Sequence, residues 1–452
     1  MAIHEECGVF GIYDANGNCA RSAYYGLYAL QHRGEEDCGI ATTNDLEHSC
    51  HRGTGLVGDV FSESILSELG GTMAIGHVRY APANRARLEN AQPLTLKYIK
   101  GSLAVAHNGS LINSAELKRE YEYKGAVFHT TTDSEIIAYI IAQARLHCDS
   151  IEESVGIAMK RLKGASSLVV MSSRKLVAAR DPWGFRPLCI GQKGDAYIFA
   201  SETCALDSVE ATFVRDVEPG EVVWVYKGEL HSNREGCPDS STLCIFEHLY
   251  FARPDSILDG QSVYDARILA GRFLAREHPI DGDVVIGVPD TGLVAAKGYS
   301  LETGIPYNDG FVKNRYIGRT FIKPEQSSRE EAVKIKLNPL RATVNGKRVI
   351  MIDDTIVRGT TTSPTIKLLR DAGACEIHVL ISSPKFIAPC FFGADIPSKE
   401  LLFACNHTTD EMREIIGADS LGFLSLDSLA KIAPDSKCGF CDACFTENYP
   451  IS

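Results

Sequence analysis

The sequence lacks an excess of basic charge, a long apolar run and a basic leader, and each absence excludes a class of protein. Across 452 residues the formal net charge is −12, which argues against a nucleic-acid partner because phosphate backbones are bound by basic surfaces. No apolar stretch reaches the roughly 18 residues that suggest a membrane span. The acidic start, MAIHEE, has neither the basic nor the apolar region of a secretory signal. We therefore expect a cytoplasmic protein with no nucleic-acid or membrane partner.

The chain is long enough for two or three domains, and its first part has the pattern of antiparallel strands. Up to about residue 235, short apolar runs such as MAIGHVRY, LAVAHNG and EVVWVY are separated by Gly, Asn and Asp turns. Apolar spacing of three and four residues predicts helices between them, near residues 22–33, 60–69, 133–147 and 151–162. We expect an α+β sandwich of antiparallel sheets here.

The second part alternates buried strands with helices. The runs DVVIGVPD, RVIMIDD and EIHVLISS are continuous and rich in β-branched residues, and helices are predicted near residues 290–300, 361–373 and 410–417. This alternation indicates a parallel α/β sheet. We place the boundary in the turn-rich stretch 228–245, which divides the chain into domains 7–235 and 236–452.

The most specific segment of the second part is VIMIDDTIVRGTTTSPTIKLLRDAGA, residues 349–374. An apolar strand ends in Asp353 and Asp354, and a short loop containing Gly359 leads into a helix. Ligands of open α/β sheets bind beyond the carboxyl ends of strands, and a helix N-terminus attracts anions. Adjacent carboxylates suit sugar hydroxyls and Mg²⁺. No GxxxxGK[ST] occurs, which excludes a Walker loop, and the remaining alternative is an acidic turn before a Thr-capped helix.

This segment resembles the phosphoribosyl pyrophosphate loop of type I phosphoribosyltransferases. The resemblance implies that Asp353 and Asp354 hold ribose hydroxyls and contribute to a magnesium site. It also implies that residues 355–362 cradle a 5-phosphate, with contacts from Thr355, Arg358, Gly359, Thr360 and Thr361.

Two further segments agree with that resemblance. VIGVPDTGLVAAKGYS, residues 285–300, is similar to the pyrophosphate loop of the family. Thr291 stands there in place of the family's Ser, and its hydroxyl is implied as a magnesium ligand. KNRYIGRTFIKP, residues 313–324, is either a solvated surface loop or, by the resemblance, a mobile lid whose phosphate contacts come from Arg315, Arg319 and Lys323.

In the first part, Cys7 opens the strand CGVFGIY, where a buried structural thiol is the default interpretation. Five later motifs change that interpretation: QHRGEEDCGIA at 31–41, GHVRYA at 76–81, NAQPL at 90–94, AHNGSLIN at 106–113 and TTDSE at 131–135. Together they resemble the N-terminal nucleophile glutamine amidotransferases, and this implies a four-layer sandwich.

Amide hydrolysis needs a nucleophile, a proton acceptor and an oxyanion site. If residues 1–6 are a propeptide that is removed, the α-amine of Cys7 can accept the proton, because such amines titrate at about 7.7–8.0. The resemblance implies an oxyanion hole from the Asn108 side chain and the Gly109 N–H. It assigns the glutamine α-carboxylate to Arg79 and the α-ammonium to Asp133; the alternative for both is an ordinary surface charge.

The chain departs from the glutaminase family after GHVRY. The family usually carries Ser-Thr and then Gly, and this chain has Ala81, Pro82, Ala83 and Asn84. The stretch belongs to the loop that covers glutamine, so the departure bears on glutamine affinity and loop closure rather than on the chemistry.

Fifteen cysteines are many for a cytoplasmic protein, and a reducing compartment argues against a disulfide framework. The run CGFCDACF at 438–445 is open to interpretation as a zinc site, a redox pair, a cluster site or free thiols. Zinc calls for a second C-x-x-C pair, which the sequence lacks, whereas iron–sulfur ligands can lie far apart. Resemblance to one branch of the amidophosphoribosyltransferases implies a [4Fe–4S] cluster on Cys244, Cys390, Cys441 and Cys444, with Cys438 as the spare.

From residue 7 to about 450 the chain resembles the amidophosphoribosyltransferase family. The resemblance implies a glutaminase at Cys7 and transfer of ammonia to C1 of phosphoribosyl pyrophosphate, the opening step of purine synthesis. It also implies Mg²⁺, feedback by purine nucleotides and a homotetramer. The rivals are a glutaminase with an isomerase or synthetase second domain, which the DDTIVRGTT loop disfavours, and an inactive ligand sensor, which retention of Cys7 and Asn108 disfavours.

Overall fold

The computed structural model describes residues 7–44, 47–80, 88–314, 336–394, 396 and 398–451. Thirteen strands in these ranges precede residue 234: β1 (Gly8–Tyr13), β2 (Asp37–Thr43), β3 (His48–Thr54), β4 (Met73–Arg79), β5 (Leu94–Tyr98), β6 (Gly101–Asn108), β7 (Ser167–Ser172), β8 (Lys175–Arg180), β9 (Cys189–Lys193), β10 (Ala196–Ala200), β11 (Thr212–Asp216), β12 (Val222–Tyr226) and β13 (Glu229–Asn233). The helices described there are α1 (Cys19–Ala29), α2 (Val57–Val60), α3 (Glu63–Glu68), α4 (Ser114–Tyr123), α5 (Asp133–Ala144), α6 (Ile151–Met159) and α7 (Thr203–Ser208).

These strands form two antiparallel sheets that face each other. One has the order β11-β9-β10-β1-β4-β2-β3 and the other β13-β12-β8-β7-β6-β5. Buried side chains such as Val9, Ile75 and Val169 fill the space between the sheets. Helices α1 and α7 pack outside the first sheet and α5 and α6 outside the second. The result is the four-layer sandwich that the sequence led us to expect.

The second half begins after β13. Its strands in the described ranges are β14 (Thr242–Cys244), β15 (Ile257–Leu258), β16 (Gln261–Ser262), β17 (Val284–Gly287), β18 (Phe311–Lys313), β19 (Leu337–Pro339), β20 (Arg348–Asp353), β21 (Glu376–Ile381), β22 (Ser420–Phe423) and β23 (Gly439–Cys441). Its helices there are α8 (Val263–Glu277), α9 (Gly292–Thr303), α10 (Arg341–Val344), α11 (Thr362–Asp371), α12 (Phe403–Asn406), α13 (Thr409–Ile416), α14 (Leu426–Leu429) and α15 (Ala443–Thr446).

A parallel sheet of order β17-β20-β21-β22 forms the core of this half. The predicted helices correspond to α9, α11 and α13, and the predicted parallel sheet is confirmed. A separate parallel pair joins β14 to β23, so that Cys244 lies opposite Cys441. None of the helices in the described ranges is both long and apolar enough to cross a membrane.

Some sequence-based expectations fall on parts of the chain outside the described residues. These are the propeptide 1–6, the Ala81–Asn84 departure, and the lid with Arg315, Arg319 and Lys323. The expected boundary at 235/236 lies in the connection between β13 and β14.

Candidate active sites

Cys7 lies directly before β1, a strand that is paired on both sides. Gly8 is opposite Val78 of β4, and a Cβ on Gly8 would approach Val78 Cγ2 to 2.9 Å. The carbonyl oxygen of Cys7 accepts a hydrogen bond from Arg33 Nε at 3.1 Å. Close packing and this bond together fix the backbone of the predicted nucleophile at the start of β1, beside the end of β4.

The predicted oxyanion site lies at the end of β6, in the facing sheet. Asn108 is 1% exposed, and neither amide atom of its side chain has a hydrogen-bond partner within the described part of the chain. Gly109 has φ 142°, and a Cβ there would lie 2.1 Å from the Ala165 carbonyl oxygen, so only glycine fits. A buried amide without a partner is costly, and such a group suits a negative oxygen that forms during reaction.

Asn108→Ala is expected to lower glutamine hydrolysis by about 100- to 1,000-fold, as loss of one oxyanion donor does elsewhere. The reason is that the amide of Asn108 stabilises charge present only in the transition state. The check is kcat for glutamate release, with the ammonia-dependent synthesis rate as the control because it bypasses this site. A rate of glutamate release within threefold of the unmodified protein would contradict the assignment.

Asp133, one of the predicted glutamine-binding residues, is anchored beside this site. It begins α5, and its Oδ2 accepts from the backbone N–H of Leu111 at 2.8 Å. Leu111 follows Asn108 by three residues, so the carboxylate is held next to the oxyanion loop.

Arg79 ends β4 and already has an acidic neighbour, which the sequence motifs contain but to which they assign no role. Its Nη1 donates to Asp37 Oδ2 at 2.8 Å, and the two residues lie opposite each other on β4 and β2. Burial raises the pKa of the Asp37 carboxyl to about 6, against the opposing charge of Arg79. Glutamine would therefore share Arg79 with a resident carboxyl group.

The predicted sugar-phosphate residues come together at the carboxyl ends of β17 and β20. The Thr291 hydroxyl donates to Asp354 Oδ1, and the Thr355 hydroxyl donates to Asp354 Oδ2 at 2.7 Å. The backbone N–H of Asp354 donates to Asp353 Oδ1 at 3.0 Å. The two loops that the sequence analysis singled out thus meet at Asp354.

The charge of this acidic pair favours a cation. Burial raises the pKa of both carboxyl groups, and the neighbouring charge of Asp354 raises that of Asp353 further. Two carboxylates and a hydroxyl are oxygen donors of the kind that Mg²⁺ prefers. The residues present therefore fit the magnesium ion that the sequence led us to expect.

The phosphate loop leads from this acidic pair into α11. Gly359 has φ 69°, in the left-handed region, and a Cβ there would come within 2.9 Å of the Phe403 ring. Thr361 is the residue at the helix N-cap, and Thr360 and Thr361 are exposed. The loop therefore presents hydroxyl groups and the start of a helix next to the carboxylates, which suits an anionic ligand.

Four of the cysteines line one pocket: Cys244, Cys390, Cys441 and Cys444. Aromatic side chains complete the lining, including Phe185 from the first half. Cys390 Sγ accepts from the Phe392 N–H at 3.3 Å. Burial raises the pKa of Cys444, and the three other thiols raise it further, so the four thiols share one environment.

Cys438 does not belong to this set. It lies in a different cluster, with Leu243, Leu258 and Val263. Within the described ranges, no group of three or more His, Cys, Asp or Glu side chains is placed to hold a metal ion. The four thiols nevertheless line the same pocket, and four cysteine thiolates are the usual donor set of a [4Fe–4S] cluster.

Sequence reasoning missed the charged residues that connect the two halves. Arg33, Glu202 and Glu247 are fully buried, and Arg33 pairs with both carboxylates and donates to the Cys7 carbonyl oxygen. These residues could have been found in the sequence, because each is a charged residue inside an apolar run or a motif. CIFEHLYF, for example, carries Glu247 within an otherwise apolar run.

Comparison with known proteins finds a different family in each half of the chain. Residues 77–208 match the family of glutamine amidotransferase domains, and residues 255–385 match the family of phosphoribosyl transferase domains. The amidophosphoribosyltransferase of Methanocaldococcus jannaschii is 46% identical over 98% of this chain and 97% of its own. That of Bacillus subtilis is 46% identical over 99% of this chain and 94% of its own.

Solved structures agree along the whole length. A structure of "the allosteric regulatory enzyme of purine biosynthesis" superimposes with a TM-score of 0.93 at 46% identity, covering 99% of this chain and 96% of that one. The glutamine phosphoribosylpyrophosphate amidotransferase of B. subtilis, complexed with ADP and GMP, gives a TM-score of 0.92 at 46% identity, covering 99% and 98%.

Proposed function

Since the chain belongs to the amidophosphoribosyltransferase family of glutamine-dependent transferases, we propose how its own residues divide the reaction between the two halves. The first half hydrolyses glutamine at Cys7. The second half places the ammonia on C1 of 5-phosphoribosyl 1-pyrophosphate, giving 5-phosphoribosylamine and pyrophosphate. The observation that carries this division is that Asn108 ends a strand of the antiparallel sandwich, whereas Asp354 follows a strand of the parallel sheet.

In the first half, the Cys7 thiol attacks the side-chain amide of glutamine and the free α-amine of Cys7 takes the thiol proton. The oxyanion is received by Asn108 and the Gly109 N–H. The same proton passes to the leaving nitrogen, which departs as ammonia. Water then hydrolyses the thioester to glutamate and restores Cys7. Arg79 and Asp133 hold the two charged ends of the substrate.

In the second half, the residues bind and orient the sugar phosphate. Asp353 and Asp354 hold the ribose hydroxyls, and the loop 355–362, which includes Arg358, holds the 5-phosphate. By the family resemblance we assign further phosphate contacts to Arg319 and Lys323, which lie outside the described residues. Asp353, Asp354 and Thr291 would hold Mg²⁺, which would supply positive charge to the pyrophosphate leaving group. Ammonia forms the new bond at C1 as the bond to pyrophosphate breaks.

The direct test is pyrophosphate release from phosphoribosyl pyrophosphate, measured with glutamine, with ammonium chloride and with neither. We expect release with either nitrogen source and one glutamate per pyrophosphate when glutamine is used. Absence of release with both sources would contradict the function.

The α-amine can act as a base only if the peptide bond before Cys7 is cut. We therefore propose that residues 1–6 are removed as a propeptide. The mass of the active protein should correspond to a chain that begins at Cys7. Active protein that retains Met1 to Glu6 would contradict this mechanism.

We further propose a [4Fe–4S] cluster on Cys244, Cys390, Cys441 and Cys444. The pocket that these thiols line and the N–H bond to Cys390 support the assignment, because hydrogen bonds to sulfur are a usual part of such sites. A structural role follows from the chemistry, since replacing pyrophosphate by ammonia transfers no net electrons.

Protein purified without oxygen is expected to be brown and to contain about four iron atoms per chain. Cys441→Ser should give insoluble or rapidly degraded protein, because loss of one ligand releases the tie between β14 and β23. Cys438→Ser is the matched control, and we expect it to keep its iron. Colourless, iron-free and fully active protein would contradict the cluster.

The remaining proposals concern regulation and assembly. The B. subtilis relative is complexed with ADP and GMP, which supports purine nucleotides as feedback inhibitors of this chain. By the family resemblance we also propose a homotetramer in the cytoplasm. Inhibition by AMP, ADP and GMP, and the molecular mass in solution, test both statements.

A further inference from the structure

A fully buried arginine holds the backbone of the predicted nucleophile. Arg33 ends the short 3-10 helix Gln31–Arg33, and its side chain is completely enclosed. Besides the bond from Nε to Cys7, its Nη1 donates to Glu202 Oε1 at 2.6 Å. Because a guanidinium is a rigid planar fork, groups that hold its other nitrogens also determine where Nε points.

A residue of the second half holds those nitrogens. Glu247 accepts from Arg33 Nη1 at 3.0 Å and from Arg33 Nη2 at 2.8 Å, so the pair is bidentate. The Glu247 side chain is also completely buried, and it accepts from Arg186 Nη1 at 3.3 Å. The two partners are 214 residues apart in the sequence. Paired charge-assisted bonds of this kind define geometry as well as strength.

The segment that carries Glu247 is itself fixed by the second half. Glu247–Phe251 forms one π-helical turn, and Arg267 of α8 donates to three carbonyl oxygens in and just after it. These are the carbonyls of His248 at 2.8 Å, Tyr250 at 3.0 Å and Ala252 at 2.8 Å. The Glu247 carboxylate therefore reaches Arg33 from a rigid support.

We propose that Glu247 is a positioning residue for glutamine hydrolysis, acting through Arg33 on the backbone of Cys7. The inference rests on the proposed role of Cys7 as the nucleophile. A residue that belongs to the phosphoribosyl half of the chain thus completes the glutaminase site. Displacing a reacting group by about 1 Å can cost a factor of 100 in rate. Loss of the pair between Glu247 and Arg33 should therefore lower the rate of glutamine hydrolysis more than any other rate of the protein.

The test compares glutamine-dependent and ammonia-dependent rates in Glu247→Gln, which keeps the side-chain shape and removes the charge. We expect kcat with glutamine to fall about 100-fold. The KM for glutamine should stay within about threefold, because Glu247 positions the nucleophile and not the substrate. The ammonia-dependent rate should also stay within about threefold, because that reaction does not use Cys7. Glu247→Asp retains the charge, and its kcat with glutamine should be about tenfold higher than that of Glu247→Gln.

Glu221→Gln is the matched control. Glu221 is also a fully buried carboxylate in a bidentate pair, with Arg215 at 2.7 Å on both nitrogens, and it makes no bond to Arg33. Its replacement should lower the unfolding temperature and leave the ratio of glutamine-dependent to ammonia-dependent rates unchanged.

An equal loss of both rates in Glu247→Gln would overturn the proposal, because a purely structural ion pair acts on both. If that variant does not fold, the rate ratio of Glu247→Asp decides, and a ratio equal to that of the unmodified protein overturns it. Different results would contradict the proposed function itself. These are an unmodified protein that releases no pyrophosphate with glutamine, or a Cys7→Ala variant that continues to use glutamine.

Discussion

Replacing Cys7 with alanine is expected to abolish glutamine-dependent synthesis, with a loss of at least about 1,000-fold, while ammonia-dependent synthesis continues. The nucleophile forms the covalent bond to substrate in the first half, and no group of the second half can replace it. Ammonia added from solution reaches the sugar phosphate without using Cys7. The measurement is pyrophosphate release with each nitrogen source at saturating phosphoribosyl pyrophosphate.

Cys38→Ala is the matched control for that experiment. Cys38 is a fully buried thiol on β2, in the same sheet as β1 and opposite Val78, as Gly8 is. Burial raises the pKa of its thiol to about 12, so it is not a nucleophile at neutral pH. Its replacement should keep both activities. If Cys7→Ala reduced both activities equally, Cys7 would be a structural residue and the two-site assignment would be wrong.

Asp354→Asn should affect the two activities in the opposite way to Cys7→Ala. Synthesis from either nitrogen source is expected to fall at least about 100-fold, because a neutral amide cannot supply the charge that holds a divalent cation. Basal hydrolysis of glutamine should continue, since no predicted glutamine-binding residue contacts Asp354. The measurements are pyrophosphate release with ammonia and glutamate release in the absence of phosphoribosyl pyrophosphate.

Asp283→Asn is the control at the other end of the same sheet. Asp283 lies just before β17 and pairs with Arg348 at the start of β20. Ligands of such sheets bind beyond the carboxyl ends of the strands, so an acid at the amino ends should be dispensable for synthesis. Unchanged kcat and KM for phosphoribosyl pyrophosphate in Asp354→Asn would remove this loop from the active site.

Local patterns were enough to predict much of the fold. Continuous apolar runs predicted β17, β20 and β21, and the resemblance to phosphoribosyltransferases implied that Asp354 and Thr291 belong to one site. Helix α8 was not predicted, although its buried Val263, Ala266, Ala270 and Leu274 follow the spacing of three and four. That omission was avoidable, because the signal lay in the sequence.

Contacts between distant segments could not be predicted in the same way. Asp37 meets Arg79 because β2 and β4 are neighbours in a sheet, and Glu247 meets Arg33 across the boundary between the halves. Periodicity reports which face of an element is buried, but it does not report which other element covers that face. These pairings also determine how the motif residues are held. The motifs therefore predicted roles for Cys7 and Arg79, but they did not predict which residues hold these two in place.

The pairing of β14 with β23 also has a consequence for synthesis on the ribosome. Residues 439–441 are made about 200 residues after residues 242–244, to which they bind. At a synthesis rate of about 5–20 residues per second, β14 waits roughly 10 to 40 s for its partner strand. During that time the Cys244 thiol lacks Cys441 and Cys444, whereas Cys390, made about 50 residues before Cys441, lacks them for only roughly 3 to 10 s. A cellular factor that protects the Cys244 thiol must therefore act within this interval. Iron and sulfide can reach all four proposed ligands only after it.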